Sequence, residues 1–309
     1  RDKMEWEGTF TKFLADDSLE LEGLLYKGNA KTALLFVHGM GGFFWSGVGL
    51  TLYELCQKQD IGCLLMNTRG RGLINRFKYR KDQETEPLIA GTSFEVFEDC
   101  IHDLTGAVEQ LKSLGYEQII LCGHSTGCQK AIYFMEHQSA PPEVVGLILL
   151  APGDDYHVFR EEIGNDFERA MEYAKEHYDE EIINNGEPIG FFSPKRFYDL
   201  LNDDSTEGNL LNYETDLSHL KNIQIPMLSV FGKEEENAIM EPAEMLRKIE
   251  GNHSHEKSET ALISGNHTFK EGENELQETV YRFLSSLEVI QKKEDSSKEE
   301  EQNTSSAQE

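Results

Sequence analysis

Four short stretches of this 309-residue chain carry residue types that could do covalent chemistry together. The first is Gly123-His124-Ser125-Thr126-Gly127. It follows an apolar run ending at Cys122 and precedes a helical pattern, Ala131, Ile132, Phe134 and Met135. A Gly-x-Ser-x-Gly between a strand and a helix puts a serine on a tight, strained turn with no room for flanking Cβ atoms. The helix N-terminus behind it favours developing negative charge. A serine is a weak nucleophile until a base takes its proton. Gly265-Asn266-His267-Thr268-Phe269 offers the best-placed base, in the loop after the last predicted strand. His253 and His255 lie in a polar connection before that strand and read as surface residues. Two such ligands without a third make no metal site.

The base needs an acid to orient it. That residue should come from the loop after the strand Pro226–Phe231, where the chain reads Gly232-Lys233-Glu234-Glu235-Glu236. The usual Gly-x-x-Asp form of this turn selects Glu235, with Glu236 second and Glu234 third. His38-Gly39-Met40-Gly41-Gly42 follows the first buried strand and can turn backbone N–H groups toward the serine. The Met40 and Thr126 N–H groups would form an oxyanion hole, with His38 packing beneath the loop. A phosphate cradle would require Gly-x-Gly-x-x-Gly or Gly-Lys-Ser/Thr, and neither is present here. The chain order Ser125, Glu235, His267 implies ester or acyl hydrolysis of a small-molecule substrate through an acyl-enzyme, with no metal or organic cofactor. Thioesterase, acyl transferase, peptidase and C–C hydrolase chemistry on the same three residues are the alternatives, as is a non-catalytic ligand-binding protein.

These residues need a rigid platform. Residues 4–26 alternate apolar and polar side chains around Asp16-Asp17-Ser18, the pattern of an antiparallel hairpin. Continuous apolar runs follow at 32–37, 63–66, 119–122, 145–150, 226–231 and 260–263, as in strands buried on both faces of a parallel sheet. Phe94, Phe97, Ile101, Leu104, Val108 and Leu111 mark one face of a helix over about 94–114. Strand–helix alternation of this length predicts a doubly wound, mostly parallel α/β sheet. No strand-like run occurs from Pro152 to about Asn222. The expected organisation is therefore a core over 1–152 and 223–289, an inserted helical cap over 153–222, and a disordered acidic tail over 290–309.

Lys and Arg number 29 against 57 Asp and Glu, a formal net charge of −28. Such a chain repels nucleic acid over long range. No apolar run approaches membrane-span length and no apolar leader opens the sequence. Five cysteines without a Cys-x-x-Cys read as buried, reduced thiols of a cytoplasmic protein. Charge is uneven: Arg69 to Lys81 holds six basic and no acidic residues, whereas Asp154 to Glu187 holds twelve acidic and three basic. The plain expectation is a solvated loop; of the sharper ones, a basic loop docking the acidic cap is favoured. The alternative is attraction of an anionic ester.

The phrases FVHGMGG, MNTRGRG, GTSFEVFEDCIHDL, CGHSTGCQ, GLILLAP and SGNHTF follow the order seen in α/β-hydrolase fold proteins, which the chain resembles over most of residues 8–288. The GHSTG elbow and the preceding GTSFEVFEDC stretch resemble a branch that includes fungal siderophore esterases. The resemblance implies an eight-stranded sheet, a triad at its carboxyl edge, and a cap inserted after the sixth strand, about Gly153 to Asn222. The chain departs from the family in using glutamate where aspartate is commoner, and in its acidic cap and basic loop.

Overall fold

The computed structural model describes residues 6–81, 84–137, 141–183 and 188–290. The expected tail beyond residue 290 lies outside them. Eight strands form one sheet: β1 (Thr9–Leu14), β2 (Glu20–Tyr26), β3 (Thr32–Val37), β4 (Gly62–Met66), β7 (Gln118–His124), β8 (Val144–Leu150), β9 (Met227–Gly232) and β10 (Glu259–Ile263). Their order is β1-β2-β4-β3-β7-β8-β9-β10. Only β2 runs against the rest, pairing antiparallel with β1 and β4. The remaining ladders are parallel. Two further strands, β5 (Asn75–Lys81) and β6 (Glu84–Ala90), form a separate antiparallel hairpin.

Every residue of β3, β4 and β9 is buried. Helices cover both faces of the sheet, so these strands have no wet side and their sequences lack alternation. Helices α1 (Gly47–Gln59) and α9 (Glu273–Ser286) pack together, as do α2 (Cys100–Ser113) and α3 (Thr126–His137). α8 (Pro242–Asn252) packs on β9 and β10. All five cysteines are buried and free. Among the described residues, no helix is long and apolar enough to cross a membrane.

Between β8 and β9 the chain forms α4 (Asp155–Ile163), α5 (Phe167–Glu176), α6 (Pro194–Leu201) and α7 (Thr206–Leu210). These helices build a second small core from Tyr156, Phe167, Ile189, Phe192, Phe197 and Leu200, against which Met40 packs. The side chain of the expected oxyanion-loop residue is therefore seated in this helical layer.

Three sequence expectations need correction. The helix expected from residue 94 begins at Cys100, after a short 3₁₀ turn at Phe97–Asp99. The Phe94 and Glu95 N–H groups bond back to Gly91 O at 3.0 and 2.9 Å, and Val96 is extended, so helical hydrogen bonding cannot start earlier. His253, expected at the surface, is buried, with Nδ1 3.4 Å from the Leu220 carbonyl.

The basic stretch is neither a simple loop nor a clamp on the acidic cap. Its second half is the β5–β6 hairpin, in which Phe77 is buried while Arg76, Lys78 and Arg80 are exposed. Its first half turns inward. Arg69 is buried, with Nε 2.9 Å from Asp103 and its terminal nitrogens on Asp103, Asp17 and Asp99. Arg71 pairs with Glu22 and Arg80 with Glu20. Thus the cations close onto the β1–β2 hairpin and α2. Among the described residues, no ion pair joins this stretch to the acidic segment after β8. Opposite charges nearer in space satisfied them first.

Burial of Asp103 would raise its carboxyl pKa, and Arg69 only partly offsets that. Removing Asp103 leaves Arg69 its pairs with Asp17 and Asp99 but strips the buried Arg69 Nε and backbone N–H of their acceptor. Asp103→Ala should therefore lower unfolding stability by roughly 3 kcal/mol, read from a urea midpoint. Arg76→Gln, on the exposed side of β5, should leave that midpoint within error.

Candidate active site

β7 ends at His124 and α3 begins at Thr126, leaving Ser125 alone on the corner. Its φ is +54°, the left-handed region that L-residues avoid. The corner is held from both sides: Ser125 N–H donates to Leu150 O at 2.9 Å, and Cys128 N–H to Ser125 O at 2.7 Å. A Cβ at Gly123 would run into the Gly127 carbonyl, so the elbow closes only with glycine there. Thr126 N–H stands at the first position of α3, where no intrahelical acceptor exists.

The loop after β3 approaches the same corner. A Cβ at Gly39 would lie 2.8 Å from Ser125 Cβ, so only glycine lets this backbone pass beside the serine and bring Met40 next to it. His38 beneath the loop is buried; Thr68 N–H donates to its Nε2 at 3.1 Å, so Nδ1 carries the proton and donates to Gly39 O at 2.8 Å. Burial, with the nearby Lys130 charge, pushes its pKa down to about 4, so the ring stays neutral. His38 thus acts as a strut. Gly41 N–H donates to Thr92 Oγ1 at 2.7 Å, fixing the far end of the loop.

His267 lies in the loop after β10. Its ring Nδ1 is 2.7 Å from Glu235 Oε1. The three consecutive glutamates divide their bonds. Glu235 takes the ring, Glu236 Oε2 accepts the His267 N–H at 2.8 Å, and Glu234 Oε2 accepts the Gly265 N–H at 2.8 Å. With Nδ1–H donated to Glu235, the lone pair of His267 is on Nε2. Burial alone would depress this imidazole. The hydrogen bond and charge of Glu235 outweigh burial, Glu236 and Asp155 add to them, and the pKa ends above the ordinary value.

His124, inside the elbow motif, has a part that the sequence did not reveal. Its Nε2 is 2.8 Å from the His267 carbonyl oxygen, and the two rings lie 5.1 Å apart. Burial, reinforced by His267, lowers its pKa to about 3. As a neutral ring it donates one hydrogen bond, which ties the His267 loop to the serine corner.

A charged layer lies near His38 in the loop after β3, also unforeseen. Lys130 on α3 bonds to Glu95. Glu95 lies 4.0 Å from Arg196, which holds Glu207 through two bonds of 2.6 and 3.0 Å. All four side chains are buried. Arg196 and Glu207 belong to α6 and α7, so the layer joins the helical insertion to the core. Asp155, the first residue of α4, accepts a hydrogen bond from Thr126 Oγ1 at 2.7 Å.

Comparison with solved structures gives similar folds at low identity. EstB, a siderophore hydrolase from Aspergillus fumigatus, is 16% identical with a TM-score of 0.68, over 93% of this chain and 100% of that one. The α/β hydrolase GrgF from Penicillium sp. sh18 is 18% identical with a TM-score of 0.62, over 91% and 98%. The esterase Pf2001 from Pyrococcus furiosus is 17% identical with a TM-score of 0.60, over 91% of each chain. No curated protein is significantly similar in sequence. The family described as a protein of unknown function (DUF1749) matches residues 95–288. This stretch runs from the buried Glu95 through the serine corner and the His267 loop to the end of α9, and the chain belongs to that family, built on the α/β-hydrolase fold.

Proposed function

We propose that the protein is a serine hydrolase that cleaves a carboxylic ester of a small organic substrate. The observation that carries this reading is the His267–Glu235 bond, on a loop that His124 ties to the corner where Ser125 stands at φ +54°. The similarity to proteins described as an esterase and a siderophore hydrolase supports the same class.

In this reading Ser125 Oγ attacks the ester carbonyl carbon as its proton passes to His267 Nε2. Glu235 keeps the ring in the correct tautomer and stabilises the imidazolium. The carbonyl oxygen gains the negative charge and is held by the Met40 and Thr126 N–H groups. Collapse breaks the ester C–O bond, and the leaving alcohol takes the proton from His267. Water then attacks the acyl-enzyme, giving its proton to His267. The acid departs and the proton returns to Ser125. Every group needed belongs to the chain.

A screen of p-nitrophenyl esters of graded chain length tests the class directly. Turnover by the wild type that is absent in Ser125→Ala is the result expected. No turnover of any chain length, with no reaction with a fluorophosphonate, contradicts it.

The base must be neutral to work, so kcat/KM should rise with pH through the His267 pKa. That midpoint should lie above the ordinary imidazole value because the pKa is raised. Glu235→Gln removes the charge that raises it. The limb should therefore move to lower pH as the plateau falls, by more than in Glu234→Gln or Glu236→Gln. A midpoint unmoved by Glu235→Gln would take the acid's role away from Glu235.

A further inference from the structure

The carboxylates near the serine corner differ in how completely they are satisfied. Glu235 uses one oxygen, Oε1, for both the His267 ring and the Asn237 N–H at 3.1 Å, and its Oε2 is buried without a partner. Asp154 is fully used, accepting from His157 N–H at 3.0 Å, Tyr213 N–H at 3.0 Å and the His157 ring at 2.8 Å. Asp155, one residue later, has a single neutral donor, the Thr126 hydroxyl. Among the described residues no lysine, arginine or histidine forms an ion pair with it. The guanidinium of Arg196 bonds Glu207 through both terminal nitrogens and lies 4.0 Å from Glu95; its Nε has no acceptor, and it forms no ion pair with Asp155. As a residue Asp155 is half-buried, and only one of its carboxyl oxygens, Oδ2, takes the Thr126 bond.

Its position gives this spare carboxylate a use. Thr126 supplies both the hydroxyl that Asp155 accepts and the N–H proposed to hold the oxyanion. The carboxylate therefore lies within roughly 9 Å of the reacting carbonyl oxygen, by bond lengths and hydrogen-bond reach. A cationic nitrogen a few bonds from a scissile carbonyl spans that interval. A neutral substrate would leave the Asp155 charge without a counter-ion in a partly dry site.

We infer that Asp155 is a specificity-determining residue that pairs with an ammonium group, so that the favoured substrates are esters carrying a cationic nitrogen close to the scissile bond. The inference rests on the ester-hydrolase reading above and narrows its substrate class. The cation could sit on the acyl side, as in an amino-acid ester, or on the alcohol side, as in a choline-type ester. The chemistry Asp155 recognises is the same in both.

The electrostatics agree. Burial and the negative charge of Glu207 push the Asp155 pKa up to about 7, with the Thr126 bond and Arg196 opposing and Asp154 adding. A substrate cation would favour the ionised form, so cation binding and loss of the Asp155 proton are coupled.

The test compares isosteric pairs on the full chain. Butyrylcholine is set against 3,3-dimethylbutyl butyrate, and L-alanine ethyl ester against ethyl isobutyrate. Within each pair, the quantity read is the cationic-to-neutral ratio of kcat/KM, for wild type and Asp155→Asn. The ratio should fall by about tenfold or more in Asp155→Asn for at least one pair, and that pair identifies the side carrying the cation. Ratios unchanged in both pairs would overturn the inference and leave Asp155 as only an acceptor for Thr126. A wild type that cleaves only the neutral esters overturns it too, while leaving the hydrolase reading standing. Failure to cleave any ester, with no labelling by a fluorophosphonate, overturns that reading and this one with it.

If Asp155→Asn does not fold, judged by loss of fluorophosphonate labelling, the wild type alone decides. The quaternary nitrogen of choline does not titrate. Arg196 keeps its charge throughout, whereas ionisation of His267, Glu207 and Asp154 would move the choline ratio in the same direction as Asp155, so a flat ratio leaves none of them, Asp155 included, facing the cation. The choline ratio should rise between about pH 6 and 8 as Asp155 ionises, and a flat ratio overturns the inference.

Discussion

Ser125→Ala is expected to lower ester turnover by roughly 10³-fold or more, with little change in unfolding midpoint. In the proposed mechanism the hydroxyl oxygen forms the acyl bond, and neither the base nor the oxyanion donors could replace it, so the loss should be large. The fold should survive because the corner is held by backbone bonds from Ser125 N–H to Leu150 and from Cys128 N–H to Ser125, neither of which uses the side chain. Steady-state hydrolysis of a p-nitrophenyl ester and a thermal melt together make the check. A Ser125→Ala protein with near wild-type turnover would remove the serine from the mechanism.

His267→Ala should match Ser125→Ala in severity, and the double variant should be little worse than either single one. In the proposed mechanism both side chains serve one proton transfer, so losing either would stop the same step and the two free-energy effects would not add. His124→Ala makes an instructive contrast. It removes the bond to the His267 carbonyl and not the base itself. Its loss of turnover should be intermediate, through a base that is present but less well placed. Additive losses from the Ser125 and His267 substitutions, measured in one double-mutant cycle, would contradict a shared step.

How much of this was readable beforehand depended on the residue type. The strands β3, β4, β7, β8 and β9 were legible because a strand covered on both faces must be apolar throughout, as in Thr32–Val37 and Val144–Leu150. The serine corner was legible because steric exclusion at Gly123 leaves a sequence trace. For the candidate acid, the Gly-x-x-Asp register selected Glu235, with Glu236 second and Glu234 third, on turn form alone. They are chemically identical, and only three-dimensional placement assigns one to the ring, one to the His267 N–H and one to the Gly265 N–H.

Buried charges were not legible at all. Glu95, Lys130, Arg196 and Glu207 look like surface residues in a sequence, since each is buried only because the others are. Arg69 misled for the same reason, its partners Asp17 and Asp103 being far away in the chain. The β5–β6 hairpin could have been found. Arg76, Phe77, Lys78 and Tyr79 alternate charged and aromatic side chains with period two, which is a strand signal.

The measurement closest to the central claim is the site of covalent capture. The full chain is reacted with a fluorophosphonate and digested, and the modified peptide is sequenced by mass spectrometry. The result expected is one phosphonyl group on Ser125, absent from Ser125→Ala and strongly slowed in His267→Ala, because the base must draw off the serine proton. A phosphonyl group on a different residue, or labelling of Ser125 that persists at the same rate without His267, would contradict the assignment of Ser125 and His267 as nucleophile and base.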